Sequence, residues 1–158
     1  MQVFEIKPTF KTKRWLIQNR ININAMQHAL TSLYADIMPC KRFKKTKLIL
    51  QVDYSNDSSS YYFGTNKIFI CSNPDFLAKT KKQKIFVIFL HFLHEFRHWM
   101  QSEVMGIKDS QLQYTDHDSK NNTRKYFHNK YEIDARKFER KYVRRFMRYY
   151  VTFKRACQ

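Results

Sequence analysis

The segment from about Lys81 to Met105 constrains the fold more than any other part of the chain. Gly106 follows it and suits the left-handed conformation that commonly ends a helix. A helix with apolar side chains around most of its circumference must be buried, so the segment predicts a central helix enclosed by other elements. The apolar side chains recur at helical spacing: Ile85, Val87, Ile88, Phe89, Phe92, Leu93 and Phe96.

Ionisable side chains interrupt this apolar helix in the segment HEFRH, which runs from His94 to His98. At about 100° per residue the two histidines project from one face a turn apart, as two ligands of one metal ion would. Zinc favours imidazole nitrogen, and a catalytic zinc site has three protein ligands and one position for water. Glu95 is predicted to take a proton from that water as a general base. His91, one turn earlier, is interpreted as a core histidine, with support of a metal ligand as the alternative.

The third ligand is expected downstream, where the chain offers several carboxylates and imidazoles: Asp116, His117, Asp118, His128, Glu132 and Asp134. HEFRH, followed after 33 intervening residues by the Glu132 of YEIDARKF, resembles the zincin metallopeptidases that use a glutamate as third ligand. The pattern is most similar to the small ImmA/IrrE-type and related phage metallopeptidases. Their second motif, E-x-x-A-x-x-F, is met here by Glu132, Ala135 and Phe138. The resemblance implies that His94, His98 and Glu132 hold Zn²⁺.

The same resemblance implies a substrate strand and a support for the first histidine. In these families the strand before the active-site helix lies along the cleft and pairs with an extended peptide, and NKIFIC at 66–71 holds that position here. Many glutamate zincins carry an Asp four residues after the ligand glutamate to orient the first histidine. This chain has Arg136 there, and Asp134 is expected to face elsewhere.

Two assignments stay open within the resemblance. SprT-like proteases use a third histidine as ligand, so His117 and His128 are alternatives to Glu132. Stabilisation of an oxyanion needs a hydrogen-bond donor near the metal, and spacing does not select among three candidates. These candidates are Tyr126, His128 and Tyr131.

Length and periodicity predict an α+β fold in one domain over residues 1–158, with an N-terminal helix, a small antiparallel or mixed sheet, the buried HExxH helix and a C-terminal helix. The resemblance implies that this domain is zincin-like and that the C-terminal helix carries the third ligand. The first helix is expected to end before Pro39, and the second strand region to break at Gly64 and Asn66. The expected elements are a helix at 21–38, strands at 47–54 and 61–71, a long loop at about 108–129 and a helix at 131–155.

The charge balance favours an anionic partner. The chain carries 30 Lys and Arg against 13 Asp and Glu, a net charge of +17 that exceeds what solubility requires. Nucleic acid, an anionic membrane face and an acidic protein all fit such a charge. Tyr149 and Tyr150 are candidates for stacking on bases. The basic segments are 41–47, 79–84 and 136–148.

The sequence argues against a membrane span, because the longest apolar stretch, from Ile85 to Leu93, is short and is interrupted by His91. Three widely spaced cysteines suggest neither a disulfide framework nor a thiolate zinc site, which fits a reducing, cytoplasmic location, with a phage virion as the alternative. The expected function is zinc-dependent hydrolysis of peptide bonds in a protein or peptide substrate. The alternative is a catalytically inactive basic protein that binds nucleic acid or forms part of a phage particle.

Overall fold

The computed structural model describes residues 4–39, 45–54, 59–72, 80–108 and 128–157. These residues form four α-helices and a four-stranded mixed sheet, which confirms the predicted α+β class. Most of the predicted loop at 108–129 lies outside the described residues. In chain order the elements are β1 (Phe4–Pro8), α1 (Phe10–Gln18), α2 (Ile23–Ile37), β2 (Thr46–Asp53), β3 (Ser60–Tyr62), β4 (Lys67–Cys71), α3 (Lys81–Trp99), a π-helical turn (Met100–Val104) and α4 (Lys130–Ala156).

The sheet has the strand order β1-β2-β4-β3. β1 and β4 flank β2 and run parallel to it, whereas β3 is antiparallel to β4. Alternate side chains of β2 are buried, at Leu48, Leu50 and Val52, as expected for a strand with one face on the core. The predicted break at Gly64 and Asn66 is confirmed, because both residues adopt positive φ in the turn between β3 and β4.

The prediction that residues 66–71 form the exposed cleft strand was wrong. β4 pairs with β2 along Lys67–Cys71 and with β3 along Lys67–Phe69, so both of its edges carry backbone hydrogen bonds. β3 is the last of the described strands on that side of the sheet. Among these strands, the outer edge therefore belongs to Ser60–Tyr62, whereas the sequence analysis began this strand region at residue 61 and placed a break at Gly64 and Asn66.

The helices predicted from apolar periodicity lie close to their expected bounds. α2 begins after the N-cap Asn22, whose side chain accepts a hydrogen bond from the backbone N–H of Ala25, and its C-cap Met38 precedes Pro39. Thr80 and Gln83 form a capping box that starts α3. The backbone N–H of Gly106 donates to Ser102 at the end of the π-helical turn, in agreement with the expected stop.

The core lies between the sheet and the helices, with α3 in contact with β3, β4 and α4. Phe4 of β1 meets Phe96 of α3 edge to face, with ring centroids 5.4 Å apart. Phe89 and Phe146 join α3 to α4 in the same way, at 5.0 Å. This aromatic packing explains why β1 forms although the sequence analysis missed it. It also fixes how α3 and α4 meet. The sequence analysis also missed α1, which buries Thr12, Trp15 and Leu16.

α4 continues to the C-terminal part of the chain as one long helix of 27 residues. Its apolar side chains Ala135, Phe138, Val143, Phe146 and Tyr150 are buried. No described helix combines the length and the hydrophobicity that crossing a membrane requires.

Candidate metal centre

α3 brings two imidazoles together at its C-terminal end. His94 and His98 stand one helical turn apart, and their Nε2 atoms are 3.2 Å from each other. Their rings are nearly perpendicular, with centroids 4.9 Å apart. Both side chains are largely buried, with 13% and 12% of their surface exposed. The local helical spacing therefore produces the geometry expected from HEFRH.

The first turn of α4 supplies a carboxylate to the same point. Glu132 is 1% exposed, and its Oε1 lies 2.8 Å from Nε2 of His98. Its Oε2 lies 3.2 Å from Nε2 of His94. Ala135, one turn further along α4, is completely buried in the region where α4 packs against α3. The structure thus brings together His94, His98 and Glu132, the three residues assigned as ligands from sequence.

The outer nitrogens of both imidazoles are occupied by acceptors. Nδ1 of His94 is 2.8 Å from Oε2 of Glu139, and Nδ1 of His98 is 2.8 Å from Oε1 of Gln101. The orientation of the Gln101 amide follows from its other contacts, because its Nε2 donates to the Tyr131 carbonyl and to Asp134, which are both acceptors. Each neutral imidazole must then carry its proton on Nδ1 and direct the Nε2 lone pair to the centre.

This arrangement fits a metal ion. Two neutral imidazole nitrogens and a carboxylate converge as three acceptors, which repel one another unless a cation lies between them. Oε2 of Glu132 is buried and has no partner with hydrogen-bond geometry among the described residues. The two Nε2 atoms, 3.2 Å apart, are close enough together for both to hold one zinc ion at the usual zinc–nitrogen distance of about 2.0–2.1 Å.

The pKa values show the same need for positive charge. Burial opposes protonation of His94, but the carboxylates of Glu132 and Glu139 outweigh it and raise the pKa of His94 to about 10. Burial likewise opposes ionisation of Glu132, yet the adjacent imidazoles of His94 and His98 lower its pKa to about 2. A proton on the imidazoles or a metal ion can supply the charge, so metal binding displaces protons here.

Glu139 was missed by the sequence analysis. It lies seven residues after Glu132, two turns along the same face of α4, and so reaches His94 from the other side of the ring. Arg136, at the position where many glutamate zincins carry an Asp, instead extends its Nη1 to within 3.6 Å of Oε2 of Glu132. The seven-residue spacing between Glu132 and Glu139 indicates in the sequence that both lie on one face of α4. It identifies Glu139 as a partner of His94 only when the crossing of α3 and α4 is also known.

Gln101 was missed as well, although it is completely buried at the start of the π-helical turn. It links His98 to the backbone of Tyr131 and to Asp134, which also accepts a 2.7 Å hydrogen bond from Arg97. Asp134 therefore stabilises the contact between α3 and α4 and does not belong to the group of three ligand candidates. As expected from sequence, it faces away from His94.

Glu95, the predicted general base, is 5% exposed. Burial raises its pKa, and the opposing influence of His98 and His94 does not cancel that effect. A carboxylate with a raised pKa accepts a proton more readily near neutral pH than an exposed one, which is the property a general base needs.

The remaining candidates divide between described and undescribed parts of the chain. Nδ1 of His91 lies 3.0 Å from the hydroxyl of Ser59, which accepts a hydrogen bond from the Cys71 backbone, so His91 has the structural role first assigned to it. His128 is exposed and is not part of the ligand group. The backbone carbonyl of Tyr131 accepts a hydrogen bond from Gln101, which also contacts His98. Asp116, His117, Asp118 and Tyr126 lie outside the described residues.

No protein-family model matches the chain, and neither does any curated protein or solved structure. What the chain does must therefore be inferred from the chemistry of its own side chains. The donor set of two imidazoles and a carboxylate, next to a buried glutamate, is the part of the molecule with the most specific chemistry.

Proposed function

We propose that this protein is a zinc-dependent metallopeptidase of the zincin type, in which His94, His98 and Glu132 hold the metal. The observation that supports this most directly is the convergence of two Nε2 atoms and a buried carboxylate, with both Nδ1 atoms already engaged by acceptors. A zinc ion held by three protein side chains supplies Lewis acidity and keeps a position for water and for a substrate carbonyl oxygen.

Glu95 carries the proton transfers in this proposal. It takes a proton from the water molecule that attacks the peptide carbonyl, and the new C–O bond forms as the carbonyl rehybridises. It then donates that proton to the peptide nitrogen while the C–N bond breaks, which releases a carboxylate and an amine. The buried position of Glu95 and its raised pKa support both steps, because the group must gain and lose a proton within one cycle.

The substrate in this proposal binds as an extended strand beside β3. β3 is the outermost described strand on its side of the sheet and contacts α3, and the edge of such a strand is a template for another strand. The hydroxyl of Tyr61 in β3 donates to Glu103 in the π-helical turn, which connects this edge to the end of the helix that carries the histidines. A peptide added to β3 would therefore lie near the metal centre.

Metal analysis and a peptidase assay test the proposal together. The wild-type protein is expected to contain about one zinc per chain and to cleave a mixture of quenched fluorescent peptides. Glu95→Gln should keep the metal and lose at least 100-fold in turnover, since general-base catalysis contributes roughly that much or more. Glu132→Ala should lose both metal and activity.

Two results would contradict the proposal. Equal turnover in wild type and Glu95→Gln would assign the hydrolysis to other groups. Iron in place of zinc, in a protein without peptidase activity, would indicate the other chemistry that two histidines and a carboxylate support, that of non-haem iron oxygenases.

A further inference from the structure

The outer side of α4 carries a second feature that the metal centre does not use. Lys130 in the first turn, which lies over the ring of Tyr131, is followed by seven further exposed cations along this helix. We call these seven the α4 cationic face: Lys137, Arg140, Lys141, Arg144, Arg145, Arg148 and Arg155. At about 100° per residue their directions fall within a sector of about 140°, centred opposite the side that holds Glu132, Phe146 and Tyr150. The face extends over about 27 Å, at about 1.5 Å per residue.

Acidic side chains do not neutralise this face. The three carboxylates of α4, Glu132, Asp134 and Glu139, lie in its first ten residues and contact groups on α3. Among the described residues, the face has an ion pair between Arg145 and Asp36, at 3.5 Å. Like charges three and four residues apart on a helix repel each other, so the arrangement destabilises the isolated protein and favours a polyanionic partner.

We propose that the α4 cationic face binds the phosphate backbone of double-stranded nucleic acid without reading its sequence. Arginine supplies five of the seven cations, and its planar guanidinium matches phosphate oxygens in pairs. A duplex presents one negative charge per about 1.7 Å of its axis, which gives a straight helix of this length many phosphates to contact.

The structure favours a duplex over a single strand. Tyr150, which the sequence analysis considered for base stacking, is buried, and its hydroxyl accepts a hydrogen bond from the Asn22 backbone, so that prediction was wrong. The hydroxyl of Tyr149 donates to Asp36. Single-strand binding relies on exposed aromatic rings between the cations, whereas a duplex requires only the cations.

The structure also favours nucleic acid over a membrane. A helix that lies in a membrane interface inserts an apolar side between its cations and the lipid tails. The apolar side of α4 is already buried against α2 and α3, and Val151 is the one large apolar residue of the helix that is substantially exposed, at 37%. The cationic face therefore offers charge without an inserting surface.

Fluorescence anisotropy with a labelled 20-base-pair DNA duplex of arbitrary sequence tests this proposal. The variant with Arg140→Gln, Arg144→Gln and Arg148→Gln removes three charges and keeps residues that favour helix. A matched control removes three exposed cations from α1, by Lys11→Gln, Lys13→Gln and Arg14→Gln, on an element that packs against β1 and β2. Circular dichroism melts check that both variants fold.

Wild type is expected to bind both this duplex and one of unrelated sequence, with an affinity that falls linearly in a plot of log K against log salt. The α4 variant should lose at least tenfold in affinity, and its salt slope should be smaller by about 2 to 3, because each phosphate contact contributes about 0.9. The α1 control should keep most of the affinity and slope. Glu132→Ala should bind the duplex like wild type, since Glu132 faces away from the cations.

Three outcomes would overturn the proposal. Equal losses of duplex affinity in the α4 and α1 variants would mean that binding depends on the net charge of the protein and not on the α4 cationic face. Binding to vesicles of phosphatidylserine and phosphatidylcholine, without binding to duplexes, would assign the face to a membrane surface. Binding of polyglutamate as tightly as duplex, with the same dependence on the face, would assign it to acidic proteins.

Discussion

At the scale of single residues, the groups behind the two histidines are as informative as the candidate ligands. Glu139 accepts a hydrogen bond from Nδ1 of His94 and so fixes the ring with its Nε2 toward the centre. Loss of such a partner commonly costs 10- to 100-fold in metal affinity. We therefore expect Glu139→Ala to weaken zinc binding by about that factor in a competition with a chromophoric chelator.

Two further variants make this prediction specific to the hydrogen bond. Glu139→Gln keeps an acceptor for Nδ1 and should recover part of the affinity. Arg140→Ala changes the neighbouring exposed residue and should leave zinc affinity within about twofold of wild type. Unchanged affinity in Glu139→Ala would show that packing alone orients His94.

Gln101 differs from Glu139 because it contacts both His98, a ligand candidate on α3, and the first turn of α4, which carries Glu132. Gln101→Ala leaves the largely buried His98 Nδ1–H without its acceptor and removes the hydrogen bonds from Gln101 to the Tyr131 carbonyl and to Asp134 on α4. Unsatisfied buried groups cost about 1–3 kcal/mol each. Urea unfolding of the zinc-free variant should show a loss of stability of at least that size, whereas Glu139→Gln should lose much less. Equal stabilities of zinc-free wild type and Gln101→Ala would contradict this role.

The sequence could predict His94, Glu95, His98 and Glu132 but not the residues that support them. The spacing within HEFRH is a property of any α-helix, and the motif E-x-x-A-x-x-F marked Glu132 by resemblance. The contacts of Glu139 and Gln101 depend on how α3 and α4 cross. This crossing is a feature of the tertiary structure, and the local sequence pattern does not predict it. Arg136 stands where many glutamate zincins carry an Asp, and here the carboxylate that contacts Nδ1 of His94 is Glu139, one turn further along.

At the scale of elements, the contact between α3 and α4 sets the position of Glu132. Ala135 is completely buried one turn after Glu132. Ala135→Leu should separate the helices and reduce the free energy of unfolding by about 1–3 kcal/mol. It should also weaken zinc binding more than the loss of the Nδ1 hydrogen bond of either histidine does. Thermal melts and chelator competition measure the two effects.

The matched control for this variant lies on the same helix. Ala156→Leu adds the same side chain at an exposed position in the last turn of α4 and should change neither stability nor zinc affinity appreciably. If Ala135→Leu bound zinc as wild type does, the helix contact would not position Glu132.

Local pattern predicted β2 and the three longest helices well, and it predicted neither β1 nor α1. α2, α3 and α4 have long apolar periodicity, so their bounds came out within a few residues. β1 is five residues long, and α1 buries only Thr12, Trp15 and Leu16, so neither has a strong period of its own. β1 forms because Phe4 enters the aromatic core beside Tyr34 and Phe96. Strand order was equally inaccessible, since the pairing of β4 with both β2 and β3 joins distant segments.

At the scale of the whole molecule, a metal ion would connect two helices that are far apart in the chain. His94 and His98 belong to α3 and Glu132 to α4, so an ion bound by all three exists only in the folded state. A ligand that binds only the folded state stabilises it by roughly 4 kcal/mol at 1,000 times its dissociation constant. For a domain of this size that corresponds to a rise in Tm of about 8–16 °C.

Zinc should therefore raise the Tm of protein stripped with a chelator, and the chelator should lower the Tm of the protein as purified. Glu95→Gln should show the same rise, because Glu95 is not among the three converging ligand candidates. Glu132→Ala should show almost none, because two histidines on one helix do not connect α3 to α4. A rise in Glu132→Ala equal to that of wild type would mean that the ion is held elsewhere, and the assignment of Glu132 as third ligand would be wrong. Differential scanning calorimetry at several zinc concentrations separates these cases, since the Tm of a zinc-binding protein must keep rising with free zinc.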